Sequence, residues 1–294
     1  VLFRSPAAAP ASAPAAAPAV PPAPPVLKPV APVPELGDLR LAGDGFKVET
    51  LWTNRGAYLR QASLVEYARR VNSPDHLLLL AASSPERGVF ALLDPSGALP
   101  LDRQNYRLVS ESPDRLIFEA TFVNSLRVKK EFNLLPGKYE VAARITLENI
   151  GPNPVSGQYS IVAADRVVPE DLTAPELHGL IGSRYENGRL SLTEKTPGAN
   201  EPFVRRNGPK EPILWAGAGS RYFAAVLRPI PPPGQTTMGL IESVTIGPLP
   251  QSESVPTRWG GVERADNIYV LMTTAARAVE PGKSLVDEYR YYLG

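Results

Sequence analysis

The sequence predicts an all-β, antiparallel sandwich carried behind an extended proline/alanine arm. Three observations lead there. Apolar and polar residues alternate with period two over many segments, turn signals separate those segments, and sustained helical periodicity is weak. No strand–helix alternation of the α/β kind occurs, which leaves many antiparallel strands packed face to face.

The arm comes first. From Pro6 to about Pro34, proline recurs every few residues among alanines. An interior proline costs a helix about 3 kcal/mol, and alanine's advantage per residue is below about 1 kcal/mol, so proline decides. At about 3.1 Å per residue, such a segment reaches on the order of 80–90 Å. A spacer and a terminus without a role are both open readings of it. The expected division is a linker over residues 1–36 and one β domain over 37–294.

Beyond the arm, strands are expected at residues 47–52, 57–67 and 115–122. Leu126-Arg-Val-Lys-Lys-Glu-Phe132 alternates, and so does the run in which Tyr139, Val141, Ala143, Ile145 and Leu147 share one face. The segment Leu135-Pro-Gly-Lys138 between them reads as a hairpin turn. A second hairpin is expected over residues 185–192, where Asn187-Gly188 supplies the positive φ angles of a tight turn. Further strands are expected at 157–163, 239–246, 268–274 and 285–293. The segment from Trp215 to Pro229 bends at Gly217-Ala-Gly219-Ser220 and enters a strand, Tyr222-Phe-Ala-Ala-Val-Leu227, apolar on both faces. Such a strand belongs in the middle of a sheet covered on both sides. A few short helices complete the reading, two turns at residues 74–82 and one at 168–172.

Composition narrows the function classes. The chain has 294 residues, with 31 Lys+Arg against 30 Asp+Glu, 43% hydrophobic residues, 33 prolines and no cysteine. A net charge of +1 argues against a nucleic-acid partner, which would call for a basic excess. The doublets Lys129-Lys130, Arg69-Arg70 and Arg205-Arg206 are dispersed and read as solvated faces. Without cysteine there are no disulfides, thiol nucleophiles or cysteine-based zinc sites. The longest apolar run, Leu77 to Ala82, falls far short of the roughly 20 residues of a membrane helix. The start at Val1, with no leader pattern, is expected of a fragment.

Catalytic candidates are few. His76 and His178 are the only histidines; each reads as a surface residue rather than a ligand or base. Gly217-Ala-Gly219-Ser220 lacks the Gly-Lys-Ser/Thr of a phosphate loop and precedes a strand, so it reads as a structural bend. Glu170-Asp171 and Asp44-Gly45 sit in turns, and the latter lacks the oxygen-ligand series of a calcium loop. Trp52, Trp215 and Trp259 read as core or rim residues, with a sugar-binding face as the other reading. Arg221 is expected to be structural, bonding carbonyls or a carboxylate at the start of the Tyr222 strand. No catalytic, cofactor-binding or metal-binding residue is assigned.

Taken in order, several pieces resemble one family. They are Val48-Glu-Thr-Leu-Trp-Thr-Asn-Arg-Gly-Ala57, Phe132-Asn-Leu-Leu-Pro-Gly-Lys-Tyr-Glu-Val141 followed by Leu147-Glu-Asn149, Trp215-Ala-Gly-Ala-Gly-Ser-Arg-Tyr-Phe223, Pro281-Gly-Lys-Ser284, and Tyr289-Arg-Tyr-Tyr-Leu-Gly294. Over about residues 45–294 the chain is similar to the large periplasmic domain of YidC, the bacterial membrane protein insertase. The resemblance implies a galactose-mutarotase-like β-super-sandwich on the periplasmic side of the inner membrane. It implies an accessory, non-enzymatic role in insertion and folding, by contact with Sec translocon components and nascent inner-membrane proteins, with no cofactor. The membrane itself would be met only through helices outside this fragment. A carbohydrate-binding or mutarotase-like protein of the same architecture is the alternative. It would need a histidine acid and a carboxylate base converging in a cleft.

Overall fold

The period-two segments do become strands, and among the described residues almost nothing else forms. The structure, a computed structural model, describes residues 32–68, 74–82, 87–123, 125–169, 176–185, 187–196, 201–249, 253–256, 262–265 and 268–294. Ala31–Gly294 makes one compact unit. Residues 1–31 of the arm, Arg69-Arg70, Glu170-Asp171 and Trp259 lie outside the described residues, whereas the end of the arm meets the body, with the carbonyls of Val33 and Pro34 accepting from Asn105 and Asn54 and the Leu36 N–H donating to Asn54 Oδ1.

The chain opens with β1 (Leu39–Leu41), β2 (Val48–Thr53), β3 (Tyr58–Ala68) and β4 (His76–Ala81), a four-stranded antiparallel sheet in that order, followed by β5 (Leu92–Leu93). A meander follows: β6 (Arg107–Ser112), β7 (Arg115–Thr121), β8 (Leu126–Leu134) and β9 (Glu140–Asn149). Next come β10 (Val155–Ser156), β11 (Ser160–Asp165), the hairpin β12 (His178–Arg184) and β13 (Leu190–Lys195), then β14 (Phe203–Arg206), β15 (Ile213–Gly219) and β16 (Ala224–Ile230). The last strands are β17 (Ile241–Pro248), β18 (Glu253–Pro256), β19 (Val262–Ala265), β20 (Ile268–Thr274), β21 (Ala278–Val279) and β22 (Ser284–Leu293).

Nine of them form the large sheet, ordered β13-β12-β15-β16-β22-β9-β8-β7-β6. A five-stranded sheet runs β14-β17-β20-β11-β5, and β10-β21 and β18-β19 are two-stranded ribbons. Every strand pair is antiparallel.

One continuous core joins the layers. At one end Trp52 of β2 packs on Phe132 of β8 with ring centroids 4.3 Å apart, and Phe90 adds stacking with Trp52 and an edge contact with Tyr291 of β22. At the other end β12 meets β17 so closely that a methyl at Gly179 would strike Ile246. Burial along β8 reads buried, half-buried, buried without a break, and β9 follows the same rule except at exposed Arg144. Strands with one dry and one wet face are what that alternation specifies.

Four expectations are corrected. Residues 74–82 contain β4 rather than two helical turns, because this unbroken apolar run pairs with β3. Val168 and Pro169 are not helical, and the rest of that expected turn lies outside the described residues; among the described residues the only helical element is a 3-10 turn, Thr237–Gly239. The Gly217-Ala-Gly219 segment is not a bend but part of β15, and the chain turns at Ser220–Tyr222. Finally, β16 starts at Ala224 and is fully buried on one face only: Ala225, Leu227 and Pro229 are buried, whereas Ala224, Val226 and Ile230 are half-buried and Arg228 is exposed.

Candidate functional site

The two histidines do not converge. His76 lies on β4, exposed, its Nδ1 3.0 Å from the Val65 carbonyl oxygen. His178 opens β12 in a different sheet and has its Nδ1 3.1 Å from the Thr196 hydroxyl. Each is occupied locally. Among the described residues, no group of three or more His, Asp or Glu is arranged to hold a metal. Trp52 is a core residue, fully buried, and its indole N–H donates to Thr50 Oγ1 at 2.9 Å. Trp215 is half-buried and lies flat across Gly182 of β12, where any side chain would collide with the indole. Arg221 corrects another expectation. It is exposed beside the turn, its guanidinium 5.4 Å from the Tyr222 ring, and it braces no strand.

Polar chemistry sits instead inside the sandwich, in two closed clusters. The first is built on Lys130. The doublet Lys129-Lys130 is not a solvated face: Lys130 is fully buried, on the dry side of β8 with Val128 and Phe132. Its ammonium donates to the carbonyls of Gly56 at 2.5 Å, Phe90 at 3.0 Å and Ala57 at 3.3 Å, and lies 5.0 Å from the Tyr106 ring. Three acceptors match the three donors of an ammonium. All three carbonyls belong to residues in the left-handed region, with φ of +64° at Gly56, +46° at Ala57 and +70° at Phe90. That conformation is costly for alanine and phenylalanine and persists only when its surroundings enforce it. At position 56 only glycine fits, since a Cβ there would lie 2.3 Å from the Asp102 carbonyl oxygen. Burial pulls the Lys130 pKa well below the ordinary lysine value, and the Asp102 charge opposes that pull.

The second cluster centres on Asp287 of β22. Arg277 donates to both its oxygens, at 2.8 and 2.7 Å, and the Tyr159 hydroxyl donates to Oδ2 at 2.6 Å. Tyr159 also meets the Tyr289 hydroxyl at 2.8 Å. Burial, then the neighbouring Tyr289 and Asp287, pushes the Tyr159 pKa well above its ordinary value. Tyr159 immediately precedes β11 and Asp287 lies on the large sheet, so this cluster ties the two layers. Lys130 does the same with the segments that precede β3 and β5. Lys130 is fully buried, and in the second cluster Asp287, Tyr159 and Tyr289 are buried while Arg277 is half-buried.

What the large sheet shows to solvent is a set of paired charges, cross-strand except for Lys129 with Glu131 within β8. Arg107 pairs with Glu119, Arg115 and Lys129 with Glu131, Arg127 with Glu148, and Arg144 with Glu288. A groove of about 320 Å³ crosses this face, lined among others by Arg115, Asn133, Ala142, Arg144 and Arg290. Toward the β13 edge the same face turns apolar, with Leu190 and Leu192 exposed, Tyr292 at 43% exposure and Val226 half-buried. None of this face was assigned from the sequence, although the outward half of each alternating strand already carried the charges.

Comparison with known proteins follows the same lines. Residues 47–294 match the family model of the YidC periplasmic domain. No curated protein sequence matches. Among solved structures, the chain is similar to a galactose mutarotase related enzyme from Lactobacillus acidophilus, at 8% identity and a TM-score of 0.56, covering 88% of this chain and 97% of that one. It is also similar to a galactose mutarotase-like protein from Lactobacillus casei ATCC 334, at 12% identity and a TM-score of 0.51, covering 88% of this chain and 100% of that one. At such identities the likeness is one of fold: a galactose-mutarotase-like antiparallel sandwich.

Proposed function

Because the chain belongs to the YidC periplasmic-domain family, we propose that it is the accessory domain of a YidC-like membrane protein insertase and works by surface contact rather than catalysis. The match over residues 47–294 is the observation that carries this reading. The domain faces the periplasm at the inner membrane, and its partners are Sec translocon components and nascent inner-membrane proteins. Linker and body divide near residue 36, with the arm as spacer. Among the described residues no helix is long and apolar enough to cross a membrane. The placement of His76 and His178 on separate sheets supports the non-catalytic reading, because mutarotation requires an acid and a base at one sugar. Fold kinship does not transfer activity.

Two measurements test the proposal. Photo-crosslinking groups placed at exposed Leu192, Arg228 and Tyr292 in the insertase should form adducts with identified Sec subunits or nascent membrane proteins. Polarimetry with galactose and glucose should show no acceleration of mutarotation by the purified chain. Turnover without adducts would replace this reading with the mutarotase-like one.

A further inference from the structure

From β6 to β9 the wet face of the large sheet pairs its cations with carboxylates, and on the adjoining strands β22 and β16 that pairing stops. Arg228 of β16 and Arg290 of β22 are direct cross-strand partners. Both are exposed, and among the described residues neither has a carboxylate within ion-pair distance. Like charges directly opposite on a sheet destabilise it, and a carboxylate placed between these two would relieve that repulsion. Glu140, one pleat along β9 from Ala142, forms an ion pair with neither.

The row continues from Arg290 to Ala142, Asn133 and Arg115 on successive strands. A methyl group and a short amide leave a hollow between the arginines, which is the floor of the 320 Å³ groove. Arg115 and Arg144 in its walls are committed to Glu131 and Glu288. Arg290 is uncommitted, and the Asn133 side chain has no protein partner among the described residues. A carboxylate accepts from two guanidinium groups with better geometry than a single point charge allows.

We propose that this groove receives a segment of a partner polypeptide over Ala142 and Asn133, with one acidic side chain of that segment bridging Arg290, which lines the groove, and Arg228, its cross-strand partner beside it. The proposal rests on the contact-based reading of function and names the chemistry of one contact. An anionic bilayer fits less well. Glu119, Glu131, Glu140, Glu148 and Glu288 are carried on the same face, and a dense anionic surface would meet them all, whereas one carboxylate at Arg228 and Arg290 meets two cations that no glutamate pairs, beside a groove whose own Glu131 and Glu288 are held by Arg115 and Arg144.

The test is NMR titration of the full chain, reading the arginine Nε–Hε signals. The probes are Ac-Ser-Glu-Ser-Glu-Ser-NH2, its glutamine counterpart, inorganic phosphate, and phosphatidylglycerol vesicles. The glutamate peptide should shift Arg228 and Arg290, and more weakly at high salt. Arg290→Gln or Arg228→Gln should weaken binding about tenfold, as loss of one of two bridging guanidiniums implies. Arg107→Gln, outside the groove, should leave it unchanged. Arg228 and Arg290 are both exposed, so their variants remain folded. The proposal is overturned if the glutamate peptide shifts neither signal, if the glutamine peptide shifts them equally, or if Arg290→Gln binds as the parent does. It is also overturned if phosphate or vesicles bind as tightly as the peptide. Crosslinks to insertion partners without a peptide response would sink the groove and spare the functional reading. A peptide response without crosslinks would do the reverse.

Discussion

Lys129 and Lys130 are chemically identical neighbours with opposite surroundings, and Glu288 and Asp287 repeat the contrast on β22. Lys129 and Glu288 point to solvent and hold exposed ion pairs with Glu131 and Arg144. Lys130 and Asp287 point into the sandwich, where one is satisfied by three carbonyls and the other by an arginine and a tyrosine. One step along a strand therefore separates an interaction worth little from one whose loss is severe. In water a pair gains a small Coulomb term against side-chain entropy. In the core, removing one partner leaves a desolvated group with nothing to replace it.

The largest effect is expected at Asp287. Asp287→Ala removes both acceptors of Arg277, whose side chain is only 19% exposed, and should cost about 3–5 kcal/mol in urea unfolding. Glu288→Gln, its neighbour, should stay within about 1 kcal/mol of the parent. Comparable losses in the two variants would break the comparison on β22.

Lys130→Met comes next. It keeps the length of the side chain and removes the donor, leaving three buried carbonyls unsatisfied; relief of the buried charge offsets part of that. A net loss of about 2–3 kcal/mol is expected. A variant as stable as the parent would mean that the backbone at Ala57 and Phe90 relaxes out of its left-handed conformation once the ammonium is gone.

That cluster also shows what was legible in the sequence. The alternation Leu126, Val128, Phe132 on one side and Arg127, Lys129, Glu131 on the other specified β8 and its register, and by the same count assigned Lys130 to the dry side. Its reading as solvated followed residue type where the period pointed the other way. The apolar run of β4 failed for a related reason: Leu77 to Leu80 has no period, so only pairing with β3 distinguishes strand from helix. Arg228 facing Arg290 was beyond reach from sequence, since register between strands more than sixty residues apart is set by the whole sandwich. The carbonyl cradle was equally hidden, because backbone acceptors carry no residue signature.

A pH series sharpens the Lys130 comparison with a smaller effect. The folded pKa is lowered by burial, so between that value and the ordinary lysine value the unfolded chain binds more protons. Stability of the parent relative to Lys130→Met should rise with pH across that window, by at most about 1.4 kcal/mol per pH unit. The buried tyrosines are common to both proteins and cancel in the difference. A flat difference up to the ordinary lysine value would show that the carbonyls compensate burial in full.

The smallest effect belongs to the outer lysine. Burial raises the Glu131 carboxyl, but hydrogen bonds from Arg115 and Lys129 outweigh it and hold its pKa below the ordinary glutamate value. A carboxylate depressed in this way stabilises the fold above its ordinary value and loses that contribution as pH falls through the folded one. Lys129→Met removes one of the two donors, so the parent should be more stable by about 0.5 kcal/mol or less at neutral pH. The two curves should merge in acid, once Glu131 is protonated in both. A difference that persists below the folded Glu131 value would place the role of Lys129 in packing along the strand rather than in charge. The contrast with Lys130 would then be one of degree.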